Sequence, residues 1–309
     1  MEIKGILVTL IAPMNDHIAN GGEKILGNAS SIKQRPDGRV YISGQKQRHA
    51  LFSAMERLNF EDGNRNGTYV SNGDGITTAI EKDLRADLGG YLDTNKESYS
   101  GRRTAPLTAT PAVALEQSEV GRDLLIRLKV LTNDDSKKQA LATREYSQAD
   151  EMLMSFFIDI GAVSIRKDFT YEKEMHLQTH YHKHVDETER KRRVRLALEA
   201  TNSLTDYANN ARNATSGEPQ KVLIAFDTKL SRKAARYFTA DEAEQKNILR
   251  ELDKRGAKYF FGDDQASDGD SVMDAYEKAF AFLKENDLFD PTGGAQPISS
   301  EEYEQRTNS

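Results

Sequence analysis

The stretch VYISGQKQRHALFSAMERL, residues 40–58, places an extended segment directly before an amphipathic helix. Ala50, Leu51, Ala54, Met55 and Leu58 recur at the spacing that lines up one apolar face at about 3.6 residues per turn. Val40, Tyr41 and Ile42 favour a strand. Ser43 is the natural N-cap, its hydroxyl able to accept from a first-turn amide, and Gly44 lets the backbone pass close to a neighbour.

The charges of this helix lie at the unfavoured end. Lys46, Arg48 and His49 occupy its first two turns, and no acid precedes Glu56. A helix N-terminus carries about half a positive charge and normally attracts carboxylates, an effect of about 0.3–1 kcal/mol each. Lys33, Arg35 and Arg39 add to the excess just upstream, against Asp37 alone. A bound anion would relieve this repulsion, and helix N-termini are ready anion sites. The competing reading is a solvated basic edge whose cations bend away from the amides.

Composition limits the partners. The chain has 309 residues and a net charge of −6. The segment from Asp263 onward holds twelve acids against Lys278, Lys284 and Arg306, a net of −9, which leaves +3 for residues 1–262. Local basic runs decide polyanion binding more than the total does. A second such run is ERKRRVR, residues 189–195, which reads either as a polyanion contact or as the solvated first turn of a helix. The absence of cysteine excludes a disulfide framework, a thiolate nucleophile and cysteine-ligated zinc. No apolar run reaches the roughly 18–20 residues of a membrane span. The first residues lack the pattern of a secretory signal, so a cytoplasmic protein with no membrane partner is expected.

Along the chain, residues 3–12 and 39–42 read as strands around a loop rich in Asn and Gly, and residues 61–75 as an excursion too polar to build a core. Residues 102–117 form a small-residue loop introduced by two arginines. Strands follow from Arg122 and over residues 150–165. FTYEKEMHLQTHYHKH alternates with period two: Phe169, Tyr171, Met175, Leu177, Thr179 and Tyr181 on one face, Glu172, Glu174, His176, Gln178, His180, His182 and His184 on the other. A long helix from about Asp186 to Asn209, a strand over residues 219–227, helices through Ile248 and through Tyr276, and a disordered polar tail from Pro291 complete the expectation. The order strand, helix, excursion, two strands, arm, helix, strand predicts an α+β chain with a modified ferredoxin-like, RNA-recognition-motif palm carrying large finger-like and thumb-like insertions. The palm spans 1–262, with a finger at about 60–120 and a thumb arm at about 165–184; an acidic helical segment occupies 263–290 and the tail 291–309.

The segments GRVYISGQKQRHAL, RRTAPLTATPAVALE, FFIDIGAV, YANNARN and PQKVLIAF, in this order and spacing, resemble the repeated backbone subunit of type I CRISPR Cascade complexes, the DevR family of CRISPR-associated RAMP proteins. The similarity covers roughly residues 1–230, and the Ser-Gly-Gln-x-x-Arg turn and Arg-Thr-x-Pro-Leu loop are its most specific parts. It implies a protein without catalytic activity or cofactor. Several copies of it would polymerise along a CRISPR guide RNA, beside other Cascade subunits, and present the spacer to a target DNA strand. It further implies that Ser43, Gly44, Gln45, Lys46, Arg48 and His49 grip phosphates, which carry no base information. Arg102 and Arg103 would hold RNA from the finger, Asn210 and Arg212 from the loop after the long helix. Phe169 or Met175 would displace a base from the thumb.

Two other function classes remain. A metal-dependent ribonuclease of the same superfamily would use His180, His182 and His184 with Glu172 or Glu174, or an aspartate in the loop before the first helix, Asp16 or Asp37. A regulatory single-strand nucleic-acid-binding protein is the other. Neither a phosphate-cradling GxxxxGK[ST] nor a GxSxG elbow is present.

Overall fold

The residues of the Gly5–His17 strand (β1) alternate between two cores, and this alternation organises the molecule. The computed structural model describes residues 1–25, 29–93, 102–128, 139–210 and 214–307. Ile6, Val8, Leu10, Ala12 and Met14 point to one side, into a core shared with helices Gly44–Glu61 (α1), Leu84–Gly89 (α2), Glu187–Ala200 (α3) and Val272–Glu285. Leu7 points to the other side, where Ile248 and Leu252 of helix Glu242–Lys254 (α4) cover the sheet; Val272–Glu285 is α5. Period-two alternation in a strand covered on both faces requires apolar residues at successive positions, as observed.

Apart from two-residue strands, the others are Leu107–Ala109 (β2), Ala112–Ala114 (β3), Val120–Leu128 (β4), Gln139–Asp159 (β5), Ile165–Glu172 (β6), Met175–Lys183 (β7), Lys221–Asp227 (β8) and Lys258–Asp263 (β9). β5 runs antiparallel to β1 over twelve residue pairs, from Ser147↔His17 to Asp159↔Gly5. β8 flanks β1 on its other side, and β9 flanks β8. β2 and β3 pair with the far edge of the C-terminal half of β5, and β4 pairs with its N-terminal half. The central order is therefore β9-β8-β1-β5-β2/β3, entirely antiparallel, with α1 and α3 against the same face.

The polar excursion after α1 returns to the body. Val70, Leu84 and Leu88 enter the main core, and Asn59 clasps Thr68 through two hydrogen bonds of 3.0 and 3.1 Å. β6 and β7 form the expected hairpin arm, turning at Lys173 and Glu174, both at positive φ. A register shift between Thr170 and Tyr171 interrupts its strict alternation. Tyr171 lies opposite His176 with ring centroids 5.8 Å apart, so these two share a face instead of opposing each other.

Three expectations are corrected. α3 stops at Ala200, where Thr201 bonds back to Leu198, although Leu204 and Tyr207 beyond it remain buried. The basic run at 189–195 is largely internal, with Arg195 left exposed at its end. Arg190 and Arg193 are fully buried and spend their guanidiniums on backbone carbonyls and acids, and Arg192 bonds Asp62 and Glu189. The tail carries helix Ser300–Thr307 (α6), whose Tyr303 is 1 % exposed. Tyr303 buries its ring while its hydroxyl bonds the Lys167 carbonyl, and Ser300 and Glu304 add hydrogen bonds with Glu81 and Thr78.

Candidate nucleic-acid interface

Ser43 caps α1 as its sequence requires, accepting from the Lys46 amide at 3.2 Å, and the first turn contains no acid. Gly44 is required by packing: a Cβ there would stand 2.9 Å from the carbonyl oxygen of Ala109, so the helix entrance presses directly on the end of β2. Two further segments meet at this entrance. The turn Asn20–Gly21–Gly22 is tied to it by Asn20 Nδ2, which donates to the carbonyls of Lys33 and Tyr41, each at 2.9 Å. Gly21 and Gly22 both have φ near +70° to +80°, a conformation glycine adopts without a steric penalty. The loop after α3 closes the other side. Ala208 donates its amide to Ala19, Asn209 Nδ2 to Ile18, and the buried Tyr207 hydroxyl to Gln47 Oε1 at 2.8 Å. Burial raises the Tyr207 phenol well above its ordinary range.

The crowded cations separate into distinct roles. Gln45 and Ser43 are exposed, and Lys46 is half-exposed. His49 Nε2 lies 3.3 Å from Asp206 Oδ2. The Ser53 hydroxyl, then the charges of Lys46, His49 and Arg57, hold the Asp206 carboxyl below the usual carboxylate range despite partial burial. One acid from the loop after α3 thus answers part of the helix charge, a partner that sequence distance concealed. Arg39 is paired with Asp37 at 2.7 Å. Arg48, expected to grip a phosphate, is part-buried and has a partner within the protein. It turns along the helix to donate to the Gly89 carbonyl at the end of α2, 2.5 Å away, and packs on Phe52. A helix C-terminus attracts a cation as a matter of course.

Arg103 is also a scaffold residue. It is 8 % exposed, and its guanidinium donates to Asp87 Oδ1, Asp87 O, Ile165 O and Ala162 O, which uses four of its five N–H groups within the protein. A guanidinium surrounded by fixed acceptors is stabilised where it is. Arg102, beside it, is exposed. Asn210 donates to the Thr205 carbonyl and braces its own loop, and Arg212 lies outside the described residues.

On the arm, Met175 is 64 % exposed, with Leu177 and Tyr171 also open. Phe169 packs at 5.5 Å on His176 and 6.4 Å on Tyr171. The histidines do not form a metal cradle. His180 bonds Thr170, His182 pairs with Asp168 at 3.2 Å, and His184 is buried against Tyr303. Burial, reinforced by Arg166 and Arg103, lowers His184 to about 3. Among the described residues no three His, Asp or Glu side chains are grouped to hold a metal ion, and no helix is long and apolar enough to cross a membrane.

The family model described as the CRISPR-associated negative auto-regulator DevR/Csa2 matches residues 26–229. The chain belongs to the DevR/Csa2 family. Among solved structures, a chain of a "CRISPR RNA-guided surveillance complex" superposes with a TM-score of 0.57 at 14 % identity, covering 90 % of this chain and 99 % of that one. A chain of a "CRISPR RNA-guided surveillance complex, pre-nicking" gives 0.55 at 13 % identity, covering 90 % and 100 %. These likenesses are of fold. No curated protein matches closely enough to count as a relative. In this DevR/Csa2 chain the matched segment contains α1, the arm and the loop after α3, and ends just before α4 and the acidic C-terminal helices.

Proposed function

We propose that this chain is a guide-RNA-binding backbone subunit of a type I Cascade-like complex. Several copies line one CRISPR RNA, with other Cascade subunits, and expose the spacer for pairing with target DNA. The observation that carries the proposal is the first turn of α1, which has no acid of its own and only Asp206 opposite its cations, framed by the Asn20–Gly22 turn and the loop after α3, in a chain of the DevR/Csa2 family. The strand order β8-β1-β5-β2/β3, with α1 and α3 as crossovers on one face, supports a ferredoxin-like palm bearing a finger and a thumb. Such a sheet with exposed apolar side chains on an adjoining arm suits single-stranded RNA. We assign the chain a structural role without catalysis, a reading supported by the lack of a metal-holding group of His, Asp and Glu side chains among the described residues.

Ser43, Gln45, Lys46 and His49 form the phosphate contact, and Met175 is the base-displacing residue of the thumb. The Gln45→Ala/Lys46→Ala protein should bind single-stranded RNA more weakly by the same factor for unrelated sequences, with a shallower salt dependence, because phosphate contacts do not read bases. Unchanged affinity, or a loss confined to one sequence, would contradict the assignment. A regulatory reading has the matched family's printed name behind it. Sequence-selective binding to one DNA element by the free protein would favour it.

A further inference from the structure

At the foot of the arm lies a cleft of about 150 Å³ that the proposed guide-RNA contacts do not use. Its walls come from four parts of the chain: Tyr91 and Arg102 from the excursion, Asp159 and Ala162 from the end of β5, Arg166 and Lys167 from the root of β6, and Tyr303 from α6. Arg166 is the notable member. It is 5 % exposed, it lies between the rings of Tyr91 and Tyr303 at 5.7 and 4.9 Å, and no carboxylate pairs with it among the described residues. Its hydrogen bond to Ser300 Oγ is 3.1 Å, while its buried Nε has no partner. Among the described residues no carboxylate touches the guanidinium directly, Glu81 reaching it only through Ser300, and an anion in the cleft would satisfy it.

The surroundings favour the same occupant. Arg102 and Lys167 stand exposed at the rim, and Arg103 below them is already neutralised by Asp87. The one acid among the lining residues is Asp159, which engages the backbone amides of Gly161 and Ala162 and feels the charge of Lys167, against Arg102, Arg166 and Lys167 around the same cleft. The planar Arg166 guanidinium at the floor, exposed cations at the rim and two aromatic rings suit a phosphate group carrying a nucleoside.

We infer that this cleft binds a phosphate group through Arg166, Arg102 and Lys167. The phosphate is either a phosphodiester of the guide RNA, which rests on the function proposed above, or that of a free nucleotide.

The full-length protein is titrated with inorganic phosphate and its melting temperature followed, alongside Arg166→Gln and the surface variant Arg102→Gln/Lys167→Gln, whose exposed positions do not threaten folding. Saturable stabilisation of the wild type that is lost in the surface variant supports the site. No stabilisation, or equal stabilisation in the variants, overturns it. The source is then separated with single-stranded RNA. A salt slope reduced by about 0.7 per lost contact in the surface variant assigns an RNA phosphate. A slope that responds to Lys46→Ala but not to the cleft variant assigns a free nucleotide. Phosphate binding in a protein that does not bind RNA at all leaves the cleft standing and removes the backbone role.

Discussion

Replacing Asp87 with Asn tests whether the arm, the finger and α3 are held by one buried charge. Asp87 is fully buried. It accepts from Arg103 at 2.5 Å, from Arg193 at 2.7 Å, and from the Ser164 amide and hydroxyl at 2.8 and 2.6 Å. Asn keeps the shape but leaves two buried guanidiniums with one fewer negative charge, although Glu189 still bonds Arg193. Breaking a buried pair by removing one partner costs about 3–5 kcal/mol, and the shared acceptor places this site at the upper end. Burial pushes the Asp87 carboxyl up, but Arg103, Arg193 and Ser164 outweigh it and hold the group below its ordinary range. A carboxylate depressed in the folded state contributes its stability above the unfolded pKa of about 3.9 and loses it as pH falls through the lower folded value. Urea unfolding followed by circular dichroism at pH 7 should therefore show Asp87→Asn destabilised by about 3–5 kcal/mol. The gap to wild type should narrow only below about pH 4. A loss under about 1 kcal/mol, or a gap that closes already between pH 7 and 5, would show that Asp87 does not hold these elements as a buried charge.

Tyr303→Ala should cost about 3–5 kcal/mol, the usual range for a buried aromatic. It should also speed hydrogen exchange in 165–183, because the Tyr303 hydroxyl bonds the Lys167 carbonyl and its ring packs on His182 and His184. Unchanged exchange in the arm would separate α6 from the thumb. His184, lowered to about 3, stays neutral in the folded protein while the unfolded chain takes up a proton below about pH 6.5, so acid favours unfolding. Wild type should lose about 2 kcal/mol between pH 7 and 5 through this residue, and His184→Gln should lose correspondingly less over the same interval, read from urea midpoints.

What the sequence disclosed was local. Periodicity located α1 by Ala50, Leu51, Ala54 and Met55, all fully buried, and Ser43 declared its own cap. Charge was misleading wherever a distant partner decided its fate. Arg103 and Arg193 read as surface cations because nothing near them in sequence signals Asp87, 16 and 106 residues away. The Arg48 side chain is set by Gly89, 41 residues on. α6 carries too few apolar residues to announce itself, and Tyr303 acquires its meaning from the arm it meets. The register shift near Tyr171 arises from pairing, which alternation along a single strand does not encode.

The central claim is that copies of this chain assemble on a guide RNA. The most direct measurement is co-expression with a repeat-spacer transcript and the other subunits of its complex, followed by determination of particle mass and of the length of any co-purifying RNA. Several copies on one protected RNA of guide length are expected, with assembly lost in Gln45→Ala/Lys46→Ala. A monomer free of RNA in the presence of those partners would contradict it.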